Sequence, residues 1–126
     1  MDRTELRIFY NLSLDLSEKK AILDHVSSFV KEHENNLSTM INDADGVHSD
    51  IARLGAEIAR KQTEYETLKP AVEAFINTFD DELIQTLMRL HYLRGLTWAD
   101  TGAIVRIAEE SAKKRVYRAL DSSQMK

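Results

Sequence analysis

The chain contains no cysteine, one proline and four glycines among its 126 residues. The absence of cysteine excludes disulfide bonds and metal sites built from thiolates. Few helix-breaking residues, a hydrophobic content of 43% and a charged content of 30% favour a mostly helical globular protein. No apolar run approaches the ~18 residues that a membrane span needs. The sequence therefore predicts an all-α protein without a membrane partner.

Charge is unevenly distributed along the chain, whose net charge is −4. Residues 1–79 hold 9 Lys/Arg and 14 Asp/Glu, giving −5, and residues 80–126 hold 8 and 7, giving +1. This asymmetry indicates an acidic scaffold (1–79) joined to a small basic head (80–126). The start, MDRTELRIFYNLSLDL, has acids and no small-residue cleavage site, so we expect no secretory signal and a cytoplasmic protein.

Helical spacing of apolar residues begins at the N-terminus. Leu6, Phe9 and Tyr10 predict a short first helix, and residues 13–17 predict a break. Asp15 and Glu18 have the spacing of a capping box and predict the start of a longer helix. The apolar stripe of that helix is expected to comprise Ile22, Val26, Phe29, His33, Leu37, Met40 or Ile41, and Ala44.

A seven-residue repeat follows a turn that we predict at residues 42–46, where Gly46 suits a left-handed helix end. Its steps alternate between four and three residues over more than four heptads, which is typical of a coiled coil. Lys61 is the polar member of the series, and Pro70 predicts a kink or a helix end with immediate restart. The series comprises Val47, Ile51, Leu54, Ile58, Lys61, Tyr65, Leu68, Val72, Phe75 and Phe79.

So narrow an apolar seam needs a partner helix. We expect residues 17–79 to form an antiparallel helical hairpin with arms of ~40–50 Å. The alternative is a single long helix that pairs with a second copy. Small residues form one face beside this seam: Ala52, Gly55, Ala56 and Ala59. This face would allow another helix to approach closely, either within the hairpin or across a dimer. Alternatively, these alanines are present only because alanine favours helix formation. Residues 1–79 are therefore predicted to support a homodimer, a higher homo-oligomer or a protein partner.

Shorter helices are predicted in the head. Thr78 and Asp80 offer N-caps for the first of them, which Gly95 ends. Thr97 caps the second, and a short turn at residues 106–108 precedes the last helix. The expected inward residues of the first two helices are Leu83, Ile84, Leu87, Met88, Leu90 and Leu93, followed by Trp98, Thr101, Gly102 and Val105.

The last helix, over about residues 109–121, has two different faces. One face carries Ala112, Val116, Ala119 and Leu120, and the opposite face carries Glu110, Lys113, Lys114 and Tyr117. A short helix, a tight turn and a second helix with a basic outer face follow the helix-turn-helix plan, in which the second helix enters the major groove. The pattern alone also fits a solvated helix face.

Residues 95–120, GLTWADTGAIVRIAEESAKKRVYRAL, resemble the C-terminal helix-turn-helix of bacterial sigma factors, which reads the upstream promoter element. Gly95-Leu96-Thr97-Trp98 matches the opening of that motif, and Arg118-Ala119-Leu120 matches its end. Leu90-His91-Tyr92-Leu93 is similar to the preceding family helix. The whole layout resembles small phage-encoded regulators of late transcription in Gram-positive hosts. The resemblance implies double-stranded DNA and host RNA polymerase as partners, in a bacterial host cell.

The sequence departs from the family pattern at several positions. Thr101-Gly102 replace an Ile-Ala pair, Arg106 replaces the turn glycine, Ala108 replaces the capping serine, and Ala112 replaces a valine. Loss of the serine cap should cost about 1 kcal/mol. Glu109 and Glu110 fall where family members approach DNA. A carboxylate there would accept a hydrogen bond from the amino group of cytosine or repel phosphate.

The resemblance assigns roles to side chains of the last helix. Glu110, Lys113, Lys114 and Tyr117 are expected at the groove, and Arg115 and Arg118 near the phosphate backbone. The alternatives are a protein-binding adaptor or inhibitor, whose head no longer binds DNA, and a phage DNA-packaging protein that recognises DNA through the same head.

No pattern of enzymatic or metal chemistry is found. A nucleophile–base pair, a phosphate-binding glycine loop and a close carboxylate pair are all missing, so we expect neither catalysis nor a cofactor. His25 and His33 are too far apart for a metal pair. Asp43, Asp45 and His48 do not have the spacing of a calcium loop, and turn chemistry explains them. Trp98 is interpreted as a core anchor and not as a ligand platform.

Overall fold

The computed structural model of this chain describes residues 1–33 and 44–124. Within these ranges the chain is all-helical, without a strand, which confirms the predicted class. Five α-helices are present there, α1 (Arg3–Glu32), α2 (Ala44–Ile76), α3 (Glu82–Met88), α4 (Trp98–Val105) and α5 (Glu109–Gln124), and α3 continues into a π-helical turn, Arg89–Leu93. None of these described helices combines the length and hydrophobicity that a membrane crossing requires.

Residue contacts divide the chain into two compact units. The terminal unit comprises Met1–Ser13 and Tyr65–Lys126, and the middle unit comprises Leu14–Glu64. The terminal unit thus combines the start of α1 and the end of α2 with the three C-terminal helices. The division predicted at residue 79 is a functional one, between an oligomerisation region and a DNA-binding head. It stays a prediction.

One hydrophobic core holds the terminal unit together. Helices α1 and α2 supply side chains to it that are at most 2% exposed, and α3, the π-helical turn and α5 supply the remainder. The cluster comprises Leu6, Phe9, Val72, Ile76, Ile84, Leu87, Met88, Tyr92, Ala112, Val116 and Leu120. Trp98 packs against this cluster, as predicted for a core anchor.

In the middle unit, α1 and α2 run antiparallel, as expected for the arms of a hairpin. Asp15 accepts a hydrogen bond from Lys61, and Lys19 donates one to Glu57. Each lysine also lies near the carboxylate one turn earlier on its own helix, at 3.4 Å and 3.6 Å. We call these four side chains the ionic quartet. Hydrogen bonds from the lysines lower the pKa of Asp15 and the pKa of Glu57.

The predicted short first helix and the break at residues 13–17 are wrong, because α1 is continuous from Arg3 to Glu32. Ser13 remains helical and donates its hydroxyl to the Tyr10 carbonyl oxygen. Asp15 joins the ionic quartet and does not cap a helix. The N-cap role belongs to Asp2, whose carboxylate accepts a hydrogen bond from the Glu5 amide at 2.9 Å.

The buried stripe of α1 also differs from the prediction. Ile22 and Phe29 are exposed, at 46% and 43%. Two predicted positions, Val26 and His33, are half-buried, and the other buried or half-buried positions of the stripe are Leu16, Lys19, Leu23 and Val30. These positions alternate steps of three and four residues, so α1 repeats every seven residues as α2 does. The prediction included Ile22 and Phe29 because they are also seven residues apart, so they fit a heptad repeat as well as the buried positions do.

The heptad series of α2 is confirmed by burial from Val47 to Phe75, all of it buried or half-buried. Gly46 is helical within α2, so its predicted left-handed conformation is wrong. The rest of the predicted turn, and Leu37, Met40 and Ile41 of the α1 stripe, lie outside the described residues. The helix also continues through Pro70, which excludes a helix end there. Burial of Val72 and Ile76 beyond the proline outweighs its cost of about 3 kcal/mol.

Helix caps position the last three helices. The predicted caps Thr78 and Asp80 for α3 are wrong, because Asp81 accepts hydrogen bonds from the amides of Leu83 and Ile84. Thr97 caps α4 as predicted, accepting from the Asp100 amide at 3.1 Å. Gly95, at φ 74°, ends the segment that follows α3. Helix α5 begins at residue 109 as predicted and extends to residue 124.

Candidate nucleic-acid interface

A tight turn at residues 106–108 joins α4 to α5. The Ile107 amide donates to the Gly102 carbonyl oxygen at 2.9 Å, and this bond brings the turn back over α4. A Cβ atom on Gly102 would lie 2.6 Å from the Ile107 carbonyl oxygen. Because real Cβ contacts are longer, the close approach of the turn requires glycine at position 102.

Arg106 gives the turn its direction. It is left-handed, at φ 62° and ψ 42°, and it is the one non-glycine residue with positive φ among residues 1–33 and 44–124. A side chain in this conformation costs roughly 1–2 kcal/mol relative to a right-handed one. The Arg106 side chain is exposed, so the turn adds a cation close to the start of α5.

The inner face of α5 is apolar. Ala112, Val116 and Leu120 are fully buried in the core of the terminal unit, and Ala119 packs against it. This is the face that the sequence predicts. It fixes the rotation of α5 about its axis, because residues two positions away from a buried residue must point outward.

The outer face of α5 carries most of the predicted site residues. Lys114, Arg115 and Arg118 are exposed, and within the described ranges their side chains have no hydrogen bond or ion pair. Glu110 is exposed in the first turn of α5, where a carboxylate suits the positive end of the helix dipole. Four of the predicted site residues, the cations Lys114, Arg115 and Arg118 and the acid Glu110, are thus exposed on a single helix, which also exposes Glu109 and Asp121.

Two predicted site residues, Lys113 and Tyr117, are only half-exposed. The Tyr117 ring meets Trp98 edge to face, with 6.1 Å between the ring centroids. The Arg3 guanidinium carbon lies 3.7 Å from the centroid of the Tyr117 ring, and the Lys113 amino nitrogen lies 5.7 Å from it. These contacts hold the Tyr117 ring in place and put cations on the surface around it.

His91 connects α4 to the start of α1 inside the terminal unit. Its ring is stacked between Tyr10 and Trp98, with ring centroids 4.1 Å and 3.8 Å away. Its Nδ1 lies 2.7 Å from the Leu96 carbonyl oxygen, so Nδ1 holds the proton and donates it. Burial lowers the pKa of His91 to about 4, although the Leu96 hydrogen bond opposes the shift. The imidazole is therefore neutral and fills a structural position.

Sequence reasoning missed the contribution of α1 to this surface. Arg3 reaches Tyr117, and it also lies 3.9 Å from the carboxylate of Asp121. The available signal was the pair of cations Arg3 and Arg7, one helical turn apart on the exposed side of an amphipathic segment. Nothing in that local spacing indicates that the segment packs beside α5.

No cluster of three His, Asp or Glu side chains in residues 1–33 and 44–124 could hold a metal ion. His33, which directly follows α1, stacks on Phe29 and hydrogen-bonds the carbonyl oxygen of that residue. Part of the Asp-rich segment considered as a calcium loop, including Asp43, lies outside the described residues.

Comparison with protein-family models, curated proteins and solved structures yields no match to this chain.

Proposed function

We propose that the chain is a double-stranded DNA-binding transcriptional regulator in which α4 and α5 act as a helix-turn-helix. The observation that carries this proposal is the group of exposed cations on α5, Lys114, Arg115 and Arg118, which have no hydrogen bond or ion pair within the part of the chain that the structure describes. They project away from the apolar face that anchors the helix in the core. Duplex DNA presents phosphate charges along both sides of the groove that a helix enters, so these cations face complementary charges there.

The assignment of roles follows the positions on α5. Lys114 and Arg118, together with Arg115, neutralise phosphates, and Glu110 and Lys113 lie nearer the base edges. Tyr117 contributes less to base contact than the sequence suggests, because Trp98 and Arg3 cover part of its ring. The resemblance to sigma factors extends the proposal to phage late genes and to host RNA polymerase as a second partner. A dimer would bring two heads to adjacent half-sites and strengthen binding.

The test is salt-dependent binding to a fluorescent DNA duplex, measured by anisotropy. The three phosphate contacts from α5 contribute about −2.7 to the slope of log affinity against log salt between about 50 and about 200 mM salt. Lys114→Ala/Arg115→Ala should make that slope shallower by about 1.8 and weaken binding at least tenfold near 0.1 M salt, because two contacts are lost. Arg53→Ala/Arg60→Ala on α2 is the matched control, since both arginines are exposed and the change in charge is identical.

A second candidate function, a protein-binding adaptor or inhibitor, is favoured by one observation. The middle unit exposes the large apolar side chains of Ile22 and Phe29, which DNA binding does not need. Absence of duplex binding by the unmodified chain at low salt would favour this candidate, as would equal effects of the α5 and α2 double substitutions. Retention of host RNA polymerase on the immobilised chain would then identify the partner.

A further inference from the structure

A cavity of about 300 Å³ lies inside the terminal unit, between the first turns of α1 and the C-terminal helices. Its lining includes Arg3, Thr4, Arg7, Tyr10, Tyr92 and Tyr117. Each of these side chains can donate a hydrogen bond, and none of them is acidic. His91 also lines the cavity, but its Nδ1 proton is already donated to the Leu96 carbonyl oxygen. Two guanidinium groups and several hydroxyl donors in one concavity suit an oxyanion, which guanidinium binds through paired, charge-assisted hydrogen bonds.

Two tyrosines of the cavity, Tyr10 and Tyr92, keep their protons at neutral pH, and the Tyr10 hydroxyl already donates to the Leu96 carbonyl oxygen at 3.4 Å. Burial raises the pKa of Tyr92, and the neighbouring Tyr117 raises it further. Burial also raises the pKa of Tyr10, with a smaller contribution from Asp100. Protonated phenols attract an anion through their O–H groups, whereas phenolates would repel it.

The two arginines of the cavity differ in how freely they can bind a ligand. Arg3 is engaged, since it covers the Tyr117 ring and approaches the Asp121 carboxylate at 3.9 Å. Arg7 is exposed, and its side chain has no hydrogen bond or ion pair within residues 1–33 and 44–124. Arg7 therefore supplies the uncompensated charge, and Arg3 is fixed in position beside it.

The cavity is also continuous with the candidate interface. Tyr117 belongs to both, because it lies on the outer part of α5 and lines the cavity. Lys113 is close to one part of its ring, and Arg3 covers it at 3.7 Å. A duplex that contacts Lys113 therefore passes near the mouth of the cavity.

We infer that this cavity binds one backbone phosphate of the DNA duplex held by α5, with Arg7 as the main contact and Arg3 as a positioned second donor. The inference rests on the proposed function and adds a phosphate contact from the opposite end of the chain. It makes the first two turns of α1 part of the DNA-binding surface.

The experiment compares the salt dependence of duplex binding by the full chain, Arg7→Gln and Arg60→Gln. Arg7→Gln should make the slope of log affinity against log salt shallower by about 0.9, the value for one phosphate. Arg60→Gln removes the same charge from an exposed position in the middle unit and should leave the slope unchanged. Arg7→Lys keeps the charge and should restore most of the slope. Equal slopes for Arg7→Gln and Arg60→Gln would overturn the inference while the α5 substitutions still test the proposed function.

Titration with inorganic phosphate, followed by the tyrosine ring signals in NMR spectra, provides an independent measurement. Signals that shift in the unmodified chain and do not shift in Arg7→Gln support the phosphate site, and unshifted signals in both chains overturn it. Shifts in the unmodified chain combined with an unchanged salt slope in Arg7→Gln would overturn the assignment to DNA and identify a free phosphate compound as the ligand.

Discussion

His91 shows how one buried side chain makes stability depend on pH. Only 6% of its surface is exposed, and two aromatic rings enclose it. The unfolded chain gains a proton on this residue near pH 6.5, whereas the folded chain gains it only near pH 4. Between these values the unfolded state binds the extra proton, so the folded state loses stability as the pH falls.

We therefore expect the free energy of unfolding to fall by about 2 kcal/mol between pH 7 and pH 5 because of this histidine alone. The measurement is urea denaturation followed by circular dichroism at several pH values. This range stays above the pH at which carboxylates such as Asp15 and Glu57 take up protons.

His91→Gln is expected to lower stability overall and to remove most of this pH dependence. His25→Gln is the control, because His25 is exposed on α1. An unchanged pH dependence in His91→Gln would show that another group is responsible.

At the scale of elements, the start of α5 lacks a side-chain cap such as Asp81 provides for α3 and Thr97 for α4. Ala108 occupies the N-cap position, since its carbonyl oxygen accepts the first helical hydrogen bond, from Ala112 at 2.9 Å. Alanine has no side-chain oxygen to accept a hydrogen bond from the next free amides. Glu109 and Glu110 in the first turn offset part of this loss through the helix dipole.

Ala108→Ser is expected to raise the free energy of unfolding by about 1 kcal/mol, because serine supplies the missing cap. Thermal or urea denaturation measures the change. The same substitution at Ala74, an exposed position inside α2, should instead lower stability by a few tenths of a kcal/mol, since serine is a weaker helix former. Equal effects at both positions would contradict the capping explanation.

The elements differ in how well the sequence predicts them. The heptads of α2, the Thr97 cap and the turn at residues 106–108 depend on local chemistry and were predicted correctly. The continuity of α1 through residues 13–17 was not predicted, because Ser13 and Asp15 have a high turn propensity. Contacts in the folded chain override that propensity.

The candidate site shows the same division between local and tertiary information. Helical periodicity placed Glu110, Lys113, Lys114 and Tyr117 on the outer face of α5, and of these Lys113 and Tyr117 are only half-exposed. The expected positions of Arg115 and Arg118 near the phosphate backbone came from the family resemblance. The partial covering of Tyr117 by Arg3 joins residues more than a hundred positions apart, and no local pattern encodes it. Gly102 and Arg106, both of which differ from the residues of the sigma-factor pattern, shape the same turn. Gly102 allows the backbone of the turn to approach α4 closely, and Arg106 adopts the left-handed conformation that ends α4.

At the scale of the whole molecule, the two chain ends share one core. Phe9 of α1 is 1% exposed and stacks on Tyr65 of α2, with ring centroids 4.9 Å apart. It belongs to the same cluster as Val116 and Leu120 of α5. A fragment limited to residues 80–126 would therefore lack part of the core that its helices pack against.

Phe9→Ala is expected to lower the free energy of unfolding by about 3–5 kcal/mol, the usual cost of removing a buried phenyl group. The adjacent Ile8→Ala serves as the control, because Ile8 is 55% exposed and should change stability by no more than about 0.5 kcal/mol. Loss of the α5 helical signal at lower urea in Phe9→Ala would link the N-terminus to the C-terminal helices. Similar unfolding midpoints for both variants would argue against the shared core.

The ionic quartet has a consequence for the way in which α1 and α2 find their alignment. Lys19 and Lys61 occupy seam positions, and each meets a carboxylate of the facing helix. If one helix slid along the other by a heptad, the apolar positions would still meet apolar positions, but Lys61 would lose Asp15 and face Ile8 or Ile22. Hydrophobic contact alone tolerates such a slip, and the paired charges penalise it. The quartet thus selects one axial alignment from several that the repeat would otherwise allow.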